Sequence, residues 1–276
     1  MGTTFRWAKL VPSRDLCGAS PDEFAGLIER LAPVWEQRRR ELENFEGRQR
    51  APGAGRKPTA FWVQLFATMT MWRQGLTVRA AGELFGGHER TIRRWRDQVE
   101  DVLGAHGFQP AGVAEPIRTV EDLVAYVETN EVDQVAVDGT ETRRSQPSNY
   151  EAQKAAWSGK TKAHVVKATV VADRQRRPLW FEANPTGEGR THDIRMLRSQ
   201  TRLLAVLGLI AASGVWVMGD KAYESLGNEI GPMAVTGTKK PRGRPRSMEN
   251  RLYNQVVSSM RMPVEHAIGR LKWWRA

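Results

Sequence analysis

The chain has 276 residues, is 40% hydrophobic, and carries a net charge of +11 with a pI near 10.2. That length suits one large domain or two smaller ones with real cores, and so large a positive excess points to a polyanionic partner, most often nucleic acid. Cys17 is the single cysteine, which excludes a disulfide framework and a cysteine-based zinc site. The start has no apolar leader, and the most apolar stretch (203–219) is short and broken by Gly208 and Gly214. The expectation is therefore a soluble, cytoplasmic protein without a membrane span.

Residues 1–56 read as a helical region that ends in a basic, breaker-rich linker, "APGAGRKP" at 51–58. Residues 57–107 open with the apolar helix "TAFWVQLFATMTMWRQG". Thr77 can cap a short helix ending near Phe85, and Gly86-Gly87 makes a turn. A second helix then runs from about Glu89 to Leu103, with Ile92, Trp95, Val99 and Leu103 at helical spacing. Arg90, Arg93, Arg94 and Arg96 dress its other faces. Two helices, a glycine turn and a basic second helix form a helix-turn-helix pattern, the alternative being an ordinary helical hairpin with solvated arginines. Residues 108–130 are a connecting segment.

From residue 131 the texture becomes α/β. "VDQVAV" (132–137) is a buried strand ending at Asp138. "KAHVVKATVVAD" (162–173) and "RPLWFEAN" (177–184) make a hairpin, with Asp173 a turn former. "THDIRMLRSQTRLLAVLGLIAAS" is a helix with Ile194, Leu197, Leu204 and Leu207 inward. "GVWVMGD" is a strand ending at Asp220, "GPMAVTG" is another, and the chain closes on a helix. Pro263 suits that helix's first turn.

Asp138 and Asp220 each follow an apolar strand. If those strands are neighbours, both carboxylates reach one edge of the sheet, where open α/β sheets place their chemistry. Two such charges ~4–5 Å apart repel by roughly 3–4 kcal/mol at an effective dielectric near 20, which calls for a shared proton or a bound cation. Oxygen ligands without cysteine point to Mg²⁺ or Mn²⁺. Glu265 borders the apolar stripe of the closing helix and can add a third oxygen ligand. Arg261 and Lys272 lie on roughly the same face, where they can hold phosphates. Asp193 is a rival second acid, although its position suits a helix N-cap better.

These residues resemble the DDE transposases of bacterial insertion sequences, in the insertion sequence five group, with kinship to Harbinger-type transposases. "VDGTE" at 137–141, "WSGKTKAHVVK" at 157–167 and "GDKAY" at 219–223 carry the resemblance. Arg261, Glu265 and Lys272 hold the spacing of the family's last motif, with Ser258 where its tyrosine stands. The resemblance implies an RNase H-like catalytic domain over 131–276. It implies that Asp138, Asp220 and Glu265 bind two Mg²⁺ or Mn²⁺ ions, and that DNA ends are cut by hydrolysis and then joined to target DNA.

The implied partners are double-stranded DNA, both terminal inverted repeats and target, and further copies of the chain in a dimer or larger assembly at the bacterial nucleoid. Arg90, Arg93 and Arg94 would face the inverted repeats. Lys160, Lys162 and Lys167 can add phosphate contacts at the strand edge. The loop "KKPRGRPR" brings Lys239, Lys240, Arg242, Arg244 and Arg246, either as an AT-hook-like reader of the minor groove or as a phosphate-binding loop. Relatives continue past "LKWWR", so a C-terminally truncated copy, or one needing a partner, is expected. Two alternatives stay open on the sequence: a decayed copy that only occupies DNA, and an RNase H-type nuclease without strand transfer.

Overall fold

The computed structural model describes residues 11–43, 59–107, 116–186, 188–240, 243 and 245–273. The chain separates into two compact units, one of residues 1–108 with 273–276, the other of residues 109–272. The expected linker 51–58, Arg242, Arg244 and Trp274 lie outside the described residues.

The first unit is helical: α1 (Arg14–Cys17), α2 (Pro21–Glu43), α3 (Phe61–Gln74), α4 (Val78–Phe85) and α5 (Glu89–His106). α3 is apolar almost all round and buries Phe61 and residues 63–71, as a central helix must. Phe66 meets Phe24 and Phe85 edge-on, with centroids 5.8 and 5.7 Å apart. Thr77 caps α4 by accepting the Ala80 N–H, and Gly86 closes it in the left-handed region at φ 69°. The turn is tight: a Cβ on Gly82 would lie 2.5 Å from the Gly87 carbonyl oxygen. α5 buries Ile92, Trp95 and Val99 as expected, but Val102 rather than Leu103 completes the stripe.

The second unit is a mixed sheet with helices. Its strands are β1 (Gln134–Arg143), β2 (Trp157–Ser158), β3 (Ala163–Asp173), β4 (Pro178–Ala183), β5 (Trp216–Gly219) and β6 (Ala234–Thr236). Its helices are α6 (Asp122–Thr129), α7 (Tyr150–Ala156), α8 (Asp193–Ser199), α9 (Thr201–Ala212), α10 (Leu226–Ile230) and α11 (Met248–Leu271). Strand order is β2-β3-β1-β5-β6, with β4 pairing the same β3. β3 runs antiparallel to β1 and β4, whereas β5 is parallel to β1 and β6 parallel to β5.

Strand alternation divides the core between two faces. Val135, Val137, Val171 and Val217 pack with Leu203, Leu207 and Ile210 of α9. Ala136, Val170, Ala172 and Met218 pack with Val257, Val264, Ala267 and Ile268 of α11. No described helix is long and apolar enough to cross a membrane.

Several expectations need correction. β1 does not end at Asp138: β3 pairs it as far as Arg143, after its parallel partner β5 has stopped. The single helix expected over 191–213 is two, broken at Gln200. The buried Gln200 amide donates to the Glu182 carbonyl and its oxygen accepts from Thr169 Oγ1, so its backbone leaves the helical region. Ile194 and Leu204 consequently sit at the edge of the core, not inside it. Pro263 lies inside α11, which starts fifteen residues earlier at Met248. α6 and α7 fall in stretches without an expected helix, being too short to carry a periodic signal.

Asp173 is more than a turn former. It is fully buried at the hairpin, and its carboxylate accepts from Tyr126 Oη at 3.1 Å, Arg177 N at 2.9 Å and Arg177 Nε at 2.5 Å. Burial and the adjacent Asp173 push the Tyr126 phenol up to about 12. Asp173→Ala leaves Tyr126 and Arg177 facing an empty acceptor site, and is expected to cost about 2–4 kcal/mol in urea unfolding, part of the pair being solvent-screened at Arg177. A change within ~0.5 kcal/mol would show the pair to be dispensable.

Candidate active site

Two neighbouring strands deliver the first two acids. In the β1–β5 ladder Ala136 faces Met218, so the same offset sets Asp138 beside Asp220. Both share the face of Ala136 and Met218, which α11 covers. Asp138 Oδ1 accepts its neighbour's N–H (Gly139) at 2.8 Å, and Oδ2 accepts from Arg261 Nη2 of α11 at 2.9 Å. Asp220 caps the short 3-10 turn Lys221–Tyr223, with Oδ1 accepting the Ala222 N–H at 2.7 Å.

Glu265 lies one turn after Arg261, with Oε1 3.7 Å from Arg261 Nη1, and its side chain is 53% exposed. The elements thus bring Asp138 and Asp220 together, and Arg261 stands between Asp138 and Glu265. Among the described residues no three His, Cys, Asp or Glu side chains stand close enough to hold a metal ion. Asp138 and Asp220 suit a hard divalent cation as oxygen donors; a closed three-acid cage is absent from this arrangement.

The electrostatics register the strain. Burial pushes the Asp138 carboxyl up to about 6; Arg261 pulls it down, and Asp220 and Asp193 push it further up.

Asp193 is the first residue of α8, not its N-cap; His192 holds that place without a side-chain bond. Alternation puts Gly139 on the sheet face opposite Asp138, and Asp193 lies there: a Cβ on Gly139 would meet its Oδ1 at 2.5 Å. Lys167 Nζ is 2.7 Å from that oxygen and donates to the Thr191 carbonyl at 2.6 Å. Asp193 and Lys167 therefore form a partly buried pair beneath the strand, so Lys167, expected to contact phosphate at the strand edge, is buried against a carboxylate instead. The fully buried Tyr223 hydroxyl has no hydrogen-bond partner among the described residues, and burial followed by the charges of Asp193, Asp138 and Asp220 raises its pKa. Sequence reasoning missed this underside. Its one signal is Gly139 within a strand, a mark of close approach.

The expected DNA contacts divide by unit. Arg90, Arg93 and Arg94 are exposed on α5 and, with Arg38, Asp97 and Asp101, line an open groove beside α2. In the second unit Lys160, Lys162, Lys240 and Lys272 are exposed, Lys239 pairs with Glu224 at 2.8 Å, and Arg246 is half-buried with Nε unpartnered. Trp273 is 63% exposed.

A family profile described as "DDE superfamily endonuclease" matches residues 137–276, from the strand of Asp138 onward. The chain belongs to that family. Members generally use divalent metals, which agrees with oxygen donors at the strand edge. The chain is also similar, at 26% identity over 222 residues, to a protein of Microchaete diplosiphon named "Probable transposase for insertion sequence element IS702"; the match covers 79% of this chain and 72% of that one. No solved structure matches it. The resemblance to bacterial insertion-sequence DDE transposases drawn from the motifs is thereby borne out.

The raised Asp138 carboxyl carries a stability consequence. Its folded value of about 6 lies above the ordinary 3.8, so the folded state holds the proton longer. Without divalent ions, stability is fullest below about pH 4 as far as this group is concerned. It declines as pH rises through about 6. Asp138→Asn is expected to raise the thermal midpoint at pH 7.5 and to lose that advantage by pH 4. A variant less stable than the parent at pH 7.5 would contradict the assignment.

Proposed function

We propose that the chain is a transposase of a bacterial insertion sequence, which binds terminal inverted repeats, cuts DNA at the element's ends and joins them to target DNA. The carrying observation is the parallel register that sets Asp138 beside Asp220, in a member of the DDE superfamily endonucleases. The strand order, three antiparallel strands followed by two parallel ones, supports reading the sheet as RNase H-like. The capped α4, the glycine turn and the exposed arginines of α5 support a helix-turn-helix that reads the repeats.

In this reading Asp138, Asp220 and Glu265 would hold divalent ions, Mg²⁺ or Mn²⁺, which would supply positive charge to the phosphate under attack. The chain's own groups orient the strand. Lys272, exposed at the C-terminal end of α11, and Lys160 and Lys162 beside the strand edge offer cations to flanking phosphates. The attacking hydroxyl oxygen would form a new bond to phosphorus as the bond to the leaving 3′-oxygen breaks, its proton passing to solvent at the carboxylate edge. Buried carboxylates on a rigid sheet stay oriented through the step, so little reorganisation is needed when charge develops.

The test uses duplexes that carry the ends of the source element. Asp138→Asn and Asp220→Asn should each lower Mg²⁺-dependent cleavage roughly 100-fold or more while repeat binding persists. Full cleavage by either variant defeats the reading, and cleavage without joining of paired ends reduces it to a nuclease. Separately, Arg93→Ala with Arg94→Ala should flatten the slope of log affinity against log salt by about 0.9 for each phosphate that is no longer neutralised. An unaltered slope removes α5 from the interface.

A further inference from the structure

One side chain stands between Asp138 and Glu265. Arg261 sits on α11 with only 12% of its side chain exposed, Nη2 donating to Asp138 Oδ2 at 2.9 Å and Nη1 3.7 Å from Glu265 Oε1. A single planar guanidinium therefore lies between two carboxylates and supplies the positive charge a divalent ion would otherwise bring. It cannot vacate that place by losing a proton. Its hold is incomplete, because its buried Nε has no acceptor among the described residues. Among the described residues, no triad of acids or imidazoles is assembled for an ion while it sits there.

We propose that Arg261 is a positioning residue that latches the DNA-free site: its guanidinium occupies the place between Asp138 and Glu265, and a DNA phosphate draws it away, freeing both carboxylates for a divalent ion. The inference rests on the reading of Asp138 as a metal-holding acid. Its physical basis is competition for one anionic seat. A divalent ion approaching Asp138 meets a cation already hydrogen-bonded there. A phosphate offers that guanidinium a bidentate partner of equal or greater strength. Geometry on one helix makes the exchange compact, since Arg261 and Glu265 are i and i+4 and the same movement releases both acids. Linkage then requires reciprocity: DNA tightens metal binding, and metal tightens DNA binding by the same factor. A nuclease so built stays unloaded until its substrate arrives.

The experiment measures Mn²⁺ binding to the full chain by the electron paramagnetic resonance of free Mn²⁺, with and without a pre-cleaved duplex of the element's end. In the parent, DNA should tighten Mn²⁺ binding within the 5–150-fold range usual for coupled sites. Arg261→Gln should bind Mn²⁺ about tenfold tighter without DNA and gain little more when DNA is added. Arg261→Lys keeps the charge and should stay weak without DNA, which separates lost charge from lost packing. Asp138→Asn should abolish the tight binding in every background. Arg261→Gln no tighter than the parent, with Asp138→Asn still abolishing binding, overturns the latch and leaves the site reading intact. Asp138→Asn without effect overturns both. Should Arg261→Gln fail to fold, parent affinity unchanged by DNA overturns the latch by itself.

Discussion

Two carboxylates on adjacent strands, pressed against a helix that covers them, are the constraint on which the second unit is organised. Asp138 and Asp220 share a sheet face with Ala136 and Met218, so the packing of α11 on those residues draws the acids out of water. Desolvation raises the energy of the charged form of Asp138, and the charges of Asp220 and Asp193 add to it. A fold keeps such a carboxylate only where something offsets the cost. Here the offset is Arg261, carried in by the same helix that causes the burial.

The underside of β1 answers to the same constraint. Gly139 leaves room for the Asp193 carboxylate directly beneath the strand, and Lys167 neutralises it from β3. Two charge pairs thus flank one strand, Asp138 with Arg261 above and Asp193 with Lys167 below. The strand between them is held by both ladders, β3 on one side and β5 on the other. A rigid, electrostatically loaded edge of this kind suits phosphoryl transfer, where positioning and charge outweigh covalent participation by the protein. The unpartnered Tyr223 hydroxyl beside these acids belongs to the same loaded region.

The helical unit is simpler in its physics. α3 is buried on nearly all sides, and α4 and α5 fold over it through a turn that only glycine at 82 permits. Its outer surface is left to arginines and acids in alternation. Arg96 spends its charge on Asp97 and Glu100, whereas Arg90, Arg93 and Arg94 make no ion pair among the described residues. A basic helix face with that distribution suits a polyanion whose affinity is tuned by salt.

The primary structure by itself determined the α/β character of the second half, the hairpin of β3 and β4, the cap at Thr77 and Asp220 just past the end of its strand. Each is a local signal: alternation, a turn cluster, a capping residue, a motif. Strand parity even placed Asp138 on the face opposite Gly139, since period two is a property of the chain and not of its partners. Tertiary structure alone decided where β1 stops, because β3 extends it past Asp138, and where the helix over 191–213 breaks, because Gln200 serves strand carbonyls instead of its own helix. It decided that Pro263 lies inside α11, which makes Arg261 and Glu265 neighbours on one helix. It decided, finally, that an arginine and not a third carboxylate stands beside Asp138. That choice depends on the rotation of a helix docked from more than a hundred residues away, and no spacing along the chain encodes a rotation.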